Sequence, residues 1–278
     1  LADHYEALFM GDNGENPDAR KEIVYASCYD ATKTQSYGGA TYLIAASQGN
    51  IPEGYKTPEG HDKPLGTSEA WGGLVTSSQF VANLVGQGKV DAAETGKEPE
   101  FTAVDNRALV SLRFSDDKEM NGSDFAAGWH VWKFNNNRFL DPATDYSKLE
   151  LFVSIDFPMI RAAEMYLAYA EAKARIDGGS TSDAQAVQCI ADLQSRAGLV
   201  PTAGPVSLED IFAETPRAPY WAGFRRTTLI RFDRFTSGTF LWPFKGGVQS
   251  GQALADHLRL FPIPSDDLLV NDNLVQNP

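Results

Sequence analysis

Apolar positions recur most regularly between Asp156 and Ile176, DFPMIRAAEMYLAYAEAKARI, where Ile160, Ala163, Leu167, Ala170 and Ala174 follow at alternating spacings of three and four. That period places them on one face of a helix. Met159, Tyr166, Tyr169 and Ala172 extend the apolar surface beside this stripe, so the helix is expected to be covered on more than one side. Pro158 suits a first helical position, where its missing N–H is no loss. Gly178-Gly179 supplies the exit. A second helix follows. Ser182-x-x-Gln185 has the form of a capping box, Ala186, Ile190, Leu193 and Ala197 make its stripe, and Gly198 ends it.

Two consecutive helices with alanine-rich contact faces predict an αα-hairpin of the tetratricopeptide kind. Ser207-x-x-Asp210 starts a third, short helix that ends near Pro216. Pro219 then opens a longer one from Tyr220 to about Phe235, anchored by Trp221, Phe224, Leu229, Phe232 and Phe235. The tail, LFPIPSDDLLVNDNLVQNP, is too rich in proline for more than a brief turn capped by Ser265.

Upstream the pattern is looser. Residues 1–10 read as a helix end with Tyr5, Leu8 and Phe9 apolar, and Gly11 to Asp18 (GDNGENPD) as a solvated loop. Its acids lack the spacing and the final Glu of a calcium loop. Glu22 to Tyr29 alternates β-branched and aromatic residues as a strand does, with Ala108 to Phe114 and His130 to Phe134 as further strands. Ser77 to Val85 reads as a short helix, and Val90 to Glu100 as an exposed charged segment. Thr32 to Trp71 is rich in Gly, Pro, Ser and Asn. An irregular stretch of that length in a compact protein is often functional.

Composition narrows the chemistry. The 278 residues are 42% hydrophobic and 22% charged, with a formal charge of −13. That charge argues against nucleic acid and anionic membrane, which require clustered Lys and Arg. No segment approaches the roughly eighteen apolar residues of a membrane-spanning helix. Cys28 and Cys189 stand far apart, without zinc spacing, which leaves the redox compartment open. Ser115-Asp116-Asp117-Lys118 has the letters S-x-x-K without their companion motifs and reads as a solvated turn. His4, His61, His130 and His257 have no i,i+4 ligand spacing. Asn121-Gly122-Ser123 is a glycosylation sequon by pattern. Acids are plentiful, but sequence does not pair two of them as glycosidase carboxylates. The residues alone name no enzyme, and no metal or cofactor is implied.

Five motifs taken together resemble the SusD/RagB family of outer-membrane nutrient-binding lipoproteins. Arg161-Ala162-Ala163-Glu164-Met165-Tyr166-Leu167 with Ala170-Glu171-Ala172 is similar to the family's R-x-A-E-x-x-L-x-x-A-E-A helix, and Arg196-Ala197-Gly198-Leu199 to its R-A-G-L helix end. Tyr220-Trp221-x-Gly223-x-Arg225-Arg226-Thr227-x-Leu229-Ile230-Arg231-Phe232 resembles its E-G-x-R-x-x-D-L-x-R block. Pro262-Ile263-Pro264 and Asn271-x-Asn273-Leu274-x-Gln276-Asn277-Pro278 resemble its two terminal signatures. GDN, QSYGG, the Trp71 loop and Asp105-x-Arg107 stand upstream in family order. Ala218, Ala222, Phe224 and Thr228 depart from it, standing where acids, a histidine and an aspartate are usual.

The resemblance implies a mainly α, SusD-like scaffold of tetratricopeptide type, with long irregular loops and a few short strands. It implies one domain over 1–278, with a loop-rich, ligand-facing part at 1–155 and the helical signature region at 156–278. Family members also carry an N-terminal helical-repeat half, so a chain beginning at Leu1 is expected to be the C-terminal part of a longer protein, or a shortened homologue. The implied function is non-catalytic capture of oligosaccharides or polysaccharides at the bacterial surface. The implied partner is a SusC-like TonB-dependent transporter, and the implied location the outer membrane, through a lipid anchor that this chain does not show. Peptide capture and an acidic glycoside hydrolase are the alternatives. Sugars are held by flat rings against pyranose faces and by amides, hydroxyls or Arg at the rim. Trp71, Tyr37 and Tyr55 are therefore the expected stacking residues, with Gln35 and Asn50 as hydrogen-bond partners. Tyr42, Trp129 and Trp132 are expected in the core, Trp242 in a structural loop, and Arg225, Arg226 and Arg231 in pairs with acids.

Overall fold

The computed structural model describes residues 1–49, 51, 53–57, 59–85, 105–111, 119–121, 123–124 and 127–277. The expected segment Val90 to Glu100 and the Ser115–Lys118 turn lie outside them. Two compact units are formed, Leu1–Ala222 and Gly223–Pro278.

In the first unit, β1 (Ile23–Ser27) pairs antiparallel with β5 (Phe157–Arg161). A three-stranded antiparallel sheet has the order β2-β4-β3, from Val75–Thr76, Trp129–Val131 and Val110–Ser111. Helices α1 (Gly39–Ser47) and α2 (Ser78–Val85) precede the main pair, α3 (Ala162–Ile176) and α4 (Ala184–Arg196). Between and after those two, β6 (Ser180–Thr181) pairs with β7 (Val206–Ser207), which runs into α5 (Leu208–Glu214). Helix α3 packs on both α4 and α5.

The helix expected from Asp156 is therefore two elements. Phe157 to Arg161 is a strand, with Ser27 opposite Phe157, Ala26 opposite Pro158 and Tyr25 opposite Ile160. A short apolar run has no periodicity that separates strand from helix, and β1 supplies the partner that decides it. Pro158 is tolerated because a two-stranded sheet has only edges. Ile160 and Met159 are consequently exposed, while Ala163, Leu167, Ala170 and Ala174 are buried. The glycine exit is as expected: Gly178 has φ +80°, and Gly179 N–H donates to Ala174 O at 2.7 Å. In α4 the stripe Ala186, Ile190, Leu193 and Ala197 is buried. Its cap is Asp183, one residue after the expected serine, accepting from Ala186 N at 3.0 Å. Ser207 and Asp210 form the reciprocal capping box of α5.

The GDN segment is not a solvated loop. Asp12, Asn13 and Asn16 are buried. The Asp12 carboxylate accepts from Phe139 N at 2.9 Å and Leu140 N at 2.8 Å. The Asn13 side chain donates to Asp156 O at 2.7 Å and accepts from Asp156 N at 3.0 Å, replacing a missing strand partner. Buried backbone groups need partners, and these polar side chains supply them.

The core joins distant segments through rings. Tyr5, Phe9, Phe134 and Phe157 follow one another with centroids 5.1, 5.5 and 5.4 Å apart. Trp129 is buried and Trp132 packs against the same cluster, as expected. Lys133 is buried among these rings, its Nζ 4.3 Å from the Phe9 centroid and 4.4 Å from that of Tyr220, donating to the Tyr220 carbonyl. Burial, reinforced by the Arg161 charge, pushes its ammonium well below the usual lysine range. The unfolded chain then binds a proton that the folded one does not, so stability rises with pH towards the ordinary lysine value. Burial raises the Tyr5 and Tyr220 phenols, so near pH 10 the unfolded chain loses phenol protons that the folded one keeps, and stability there turns downward. Urea midpoints from pH 7 to about pH 9, below the ordinary phenol value, are expected to rise in the native chain and to flatten in Lys133→Met.

In the second unit the long helix expected from Tyr220 is confined to α6 (Arg225–Arg231). Trp221 and Gly223 have φ of +57° and +88°, which a right-handed helix does not admit. Arg226 donates to Leu258 O at 2.8 Å and Arg259 O at 3.2 Å, and lies over the Phe261 ring at 4.1 Å. The expected acid partner is replaced by carbonyls and a ring face. Lys245 is buried and donates to Ser237 and Phe240 carbonyls, with Trp242 packed 4.5 Å from its Nζ. The tail holds α7 (Ser265–Val270), longer than the turn expected there. The two terminal motifs meet: the Gln276 amide donates to Ile263 O and accepts from Ile263 N, both at 2.9 Å.

Candidate functional site

Helix α1 and the segments before and after it build one exposed aromatic row. In α1, Ala40, Thr41, Ile44 and Ala45 turn inward, a helical face that leaves Tyr42 pointing out. Tyr42 is 48% exposed, against the expectation that ATYLI is core. Trp71 is 39% exposed and Tyr37 56%. Trp71 stands between the two tyrosines, its ring 6.3 Å from Tyr42 and 5.9 Å from Tyr37. Tyr37 continues to Phe152 at 5.1 Å. All four rings are tilted relative to their neighbours, and three are large and open to solvent.

The backbone holds this row firmly. The last carbonyls of a helix lack internal partners, and here the Trp71 segment provides them. Trp71 N–H donates to Ala45 O at 2.8 Å, Gly72 N–H to Gln48 O at 3.1 Å and Leu74 N–H to Ala46 O at 3.0 Å. His130 Nδ1 meets Ser47 O at 2.9 Å, which gives that histidine a structural role. A Cβ on Gly49 would lie 2.5 Å from the Gly72 Cα, so the chains approach as only glycine permits. Trp71 Nε1 donates to the Glu69 carboxylate, which fixes the ring.

Gln48 is the positioning residue that sequence reading missed. It is buried, donates to Thr67 O at 3.1 Å and Glu69 O at 2.7 Å, and accepts from Leu65 N at 2.8 Å. Gln48→Leu leaves those groups unpaired, and is expected to lower stability by about 1–3 kcal/mol. Chemical denaturation of the two proteins checks this.

The other expected site residues fare differently. Gln35 is exposed, its amide 3.5 Å from Thr32 O. Tyr55 is half-buried in the segment that follows α1. Asn50 lies outside the described residues. Among the described residues no group of three or more His, Cys, Asp or Glu is placed to hold a metal. Both cysteines are free. No described helix is long and apolar enough to cross a membrane.

A family model for the SusD family matches residues 21–278. The chain belongs to the SusD family. The starch-binding protein SusD of Bacteroides thetaiotaomicron is 29% identical to it, over all of this chain and 52% of the relative. The chain thus spans about half the length of the curated relative it matches. A SusD-like protein from Bacteroides fragilis shares the fold with a TM-score of 0.65 and 16% identity, over all of this chain and 58% of that one. Surface glycan-binding protein A from Bacteroides thetaiotaomicron, in complex with laminarihexaose, matches with a TM-score of 0.59 and 18% identity, over 100% and 55%. As in these SusD-like neighbours the fold is mainly helical, with long loops and short strands.

Proposed function

We propose that this SusD-family chain binds oligosaccharides or polysaccharides without catalysis, at the outer surface of the outer membrane, as part of a lipid-anchored protein. It would pass them to a SusC-like TonB-dependent transporter. One observation carries the reading: the row Tyr42–Trp71–Tyr37 presents three exposed rings held by a rigid helix terminus. Exposed aromatic faces suit the apolar faces of sugar rings, and loops fixed on a scaffold are where binding residues concentrate. The names of relatives that bind starch or were solved with laminarihexaose support the same class. Trp71 and Tyr37 are the proposed stacking residues, joined by Tyr42, with Tyr55 as a further ring and Gln35 and Asn50 as hydrogen-bonding groups.

Calorimetry against soluble α- and β-glucans, other polysaccharides and a peptide panel tests this. Saturable glycan binding without release of reducing sugar is the expected result. Binding confined to peptides would instead assign the chain to peptide capture, and turnover would make it a hydrolase.

A further inference from the structure

Beside the aromatic row the first unit contains a polar cavity of about 420 Å³, within the roughly 300–1,000 Å³ of small-molecule sites. Glu15, Tyr29, Thr32, Arg138, Glu150 and Ser154 are among its walls. We infer that this cavity is a hydroxyl-recognising subsite that receives a further sugar unit of a chain lying across Trp71 and Tyr37. The inference rests on the glycan-binding reading above and extends it to a second place in the molecule.

Two separate contacts join cavity and row. Tyr29 lines the cavity, and its hydroxyl abuts the start of α1: a Cβ on Gly39 would fall 2.0 Å from it. That helix carries Tyr42. On the other wall, Glu150 and Ser154 flank Phe152, whose ring is 5.1 Å from Tyr37. Row and cavity thus share the Phe152 segment and the start of α1, so a chain long enough to cover the row can reach the cavity.

The lining selects the ligand class. A sugar hydroxyl both donates and accepts, so it needs acceptors and donors within one cavity. Five carboxylates line it, Asp12, Glu15, Asp30, Glu150 and Asp156. Asp12, Asp30 and Asp156 accept from backbone N–H groups, Arg138 and Ser154 donate to Glu150, and the Thr32 hydroxyl donates to Asp30. Glu15 remains as an acceptor and the Tyr29 hydroxyl as donor or acceptor. Among the described residues neither the Glu15 carboxylate nor the Tyr29 hydroxyl has a hydrogen-bond partner. Both are free to bind. A hard cation needs several oxygen ligands at once, and among the described residues no group of three or more His, Cys, Asp or Glu is placed to hold one. An anion would face several carboxylates.

The test uses the whole chain and gluco-oligosaccharides of two and six units, in β-1,3 and α-1,4 linkage, measured by calorimetry. In Tyr29→Phe with Glu15→Gln, hexasaccharide affinity is expected to fall on the order of tenfold, the scale of one or two lost hydrogen bonds. Disaccharide affinity, held by the rings alone, stays unchanged. Urea midpoints of the variant confirm that it folds. No loss for either length, or equal loss for both, overturns the subsite while leaving glycan binding intact. A wild-type chain that binds no glycan overturns both. A calcium-dependent rise in Tm that the same variant abolishes, with hexasaccharide affinity unchanged, assigns the cavity to a cation and also overturns the subsite.

Discussion

A Glu22→Gln variant is expected to lose about 3–5 kcal/mol of folding stability, the range for removing one partner of a buried ion pair. Glu22 accepts from Arg161 Nη1 at 3.0 Å through one oxygen, and from Ala2 N at 3.1 Å and Arg196 Nη1 through the other. The three side chains are 0%, 0% and 4% exposed, so water does little to screen them. Burial already draws the Arg196 guanidinium below its usual range, and the Glu22 charge is the first force opposing that. Arg161 keeps its bond to Ala218 O at 2.8 Å and its place 5.2 Å from the Phe9 ring. Neither contact supplies a negative charge. Two guanidiniums would then share one site without a carboxylate bonded to either, Glu164 bonding the Arg161 backbone N–H and acting on its guanidinium only through space. Replacing all three groups, as Glu22→Leu with Arg161→Met and Arg196→Met, is expected to recover much of the loss, because it removes the unpaired charge as well as the pair. Urea denaturation reads both variants. A loss below about 1 kcal/mol in the single variant would mean that the cluster behaves as a surface pair, and would sink the argument.

That cluster also marks where sequence stops speaking. Arg161 and Arg196 were legible as members of two family motifs, and Glu22 as the start of a strand. Nothing in the chain states that residues 139 and 174 positions apart meet. Local signals fared better: the glycine exits at Gly178 and Gly198, the Ser207–Asp210 box and the stripes of α3 and α4 follow from propensity and spacing within one element. The strand β5 was missed because its pairing with β1 is long-range and its five residues are too few to show a period. Tyr42 was misplaced for a different reason. Read as an irregular stretch, ATYLI looks like core. Read at 3.6 residues per turn, Ala40 and Ile44, with Thr41, Ala45 and Gln48, define the inner face and leave Tyr42 outside it. Gln48 had no signal of its own, since its partners lie on another segment.

Trp71→Ala is expected to weaken glycan binding by about 1–3 kcal/mol, the scale of one aromatic stacking contact by analogy with stacked bases, or roughly tenfold or more in affinity. Trp71 is the middle ring of the row, so its loss also separates Tyr42 from Tyr37. The scaffold is expected to survive, because the helix-capping bonds of this segment come from backbone N–H groups of Trp71, Gly72 and Leu74 that alanine leaves in place. Binding and folding can therefore be read separately. Tyr37→Ala removes an end ring and is expected to weaken binding less, although that ring also touches Phe152. Trp71→Phe keeps a flat face but loses the indole N–H that donates to Glu69, and is expected to fall between the native chain and Trp71→Ala. Calorimetry with the glycan that binds most tightly in the panel ranks the four proteins. Unchanged affinity in Trp71→Ala, with its urea midpoint also unchanged, would remove the row from the binding site. A graded loss from Trp71→Phe to Trp71→Ala is what stacking on an open, rigidly capped ring requires.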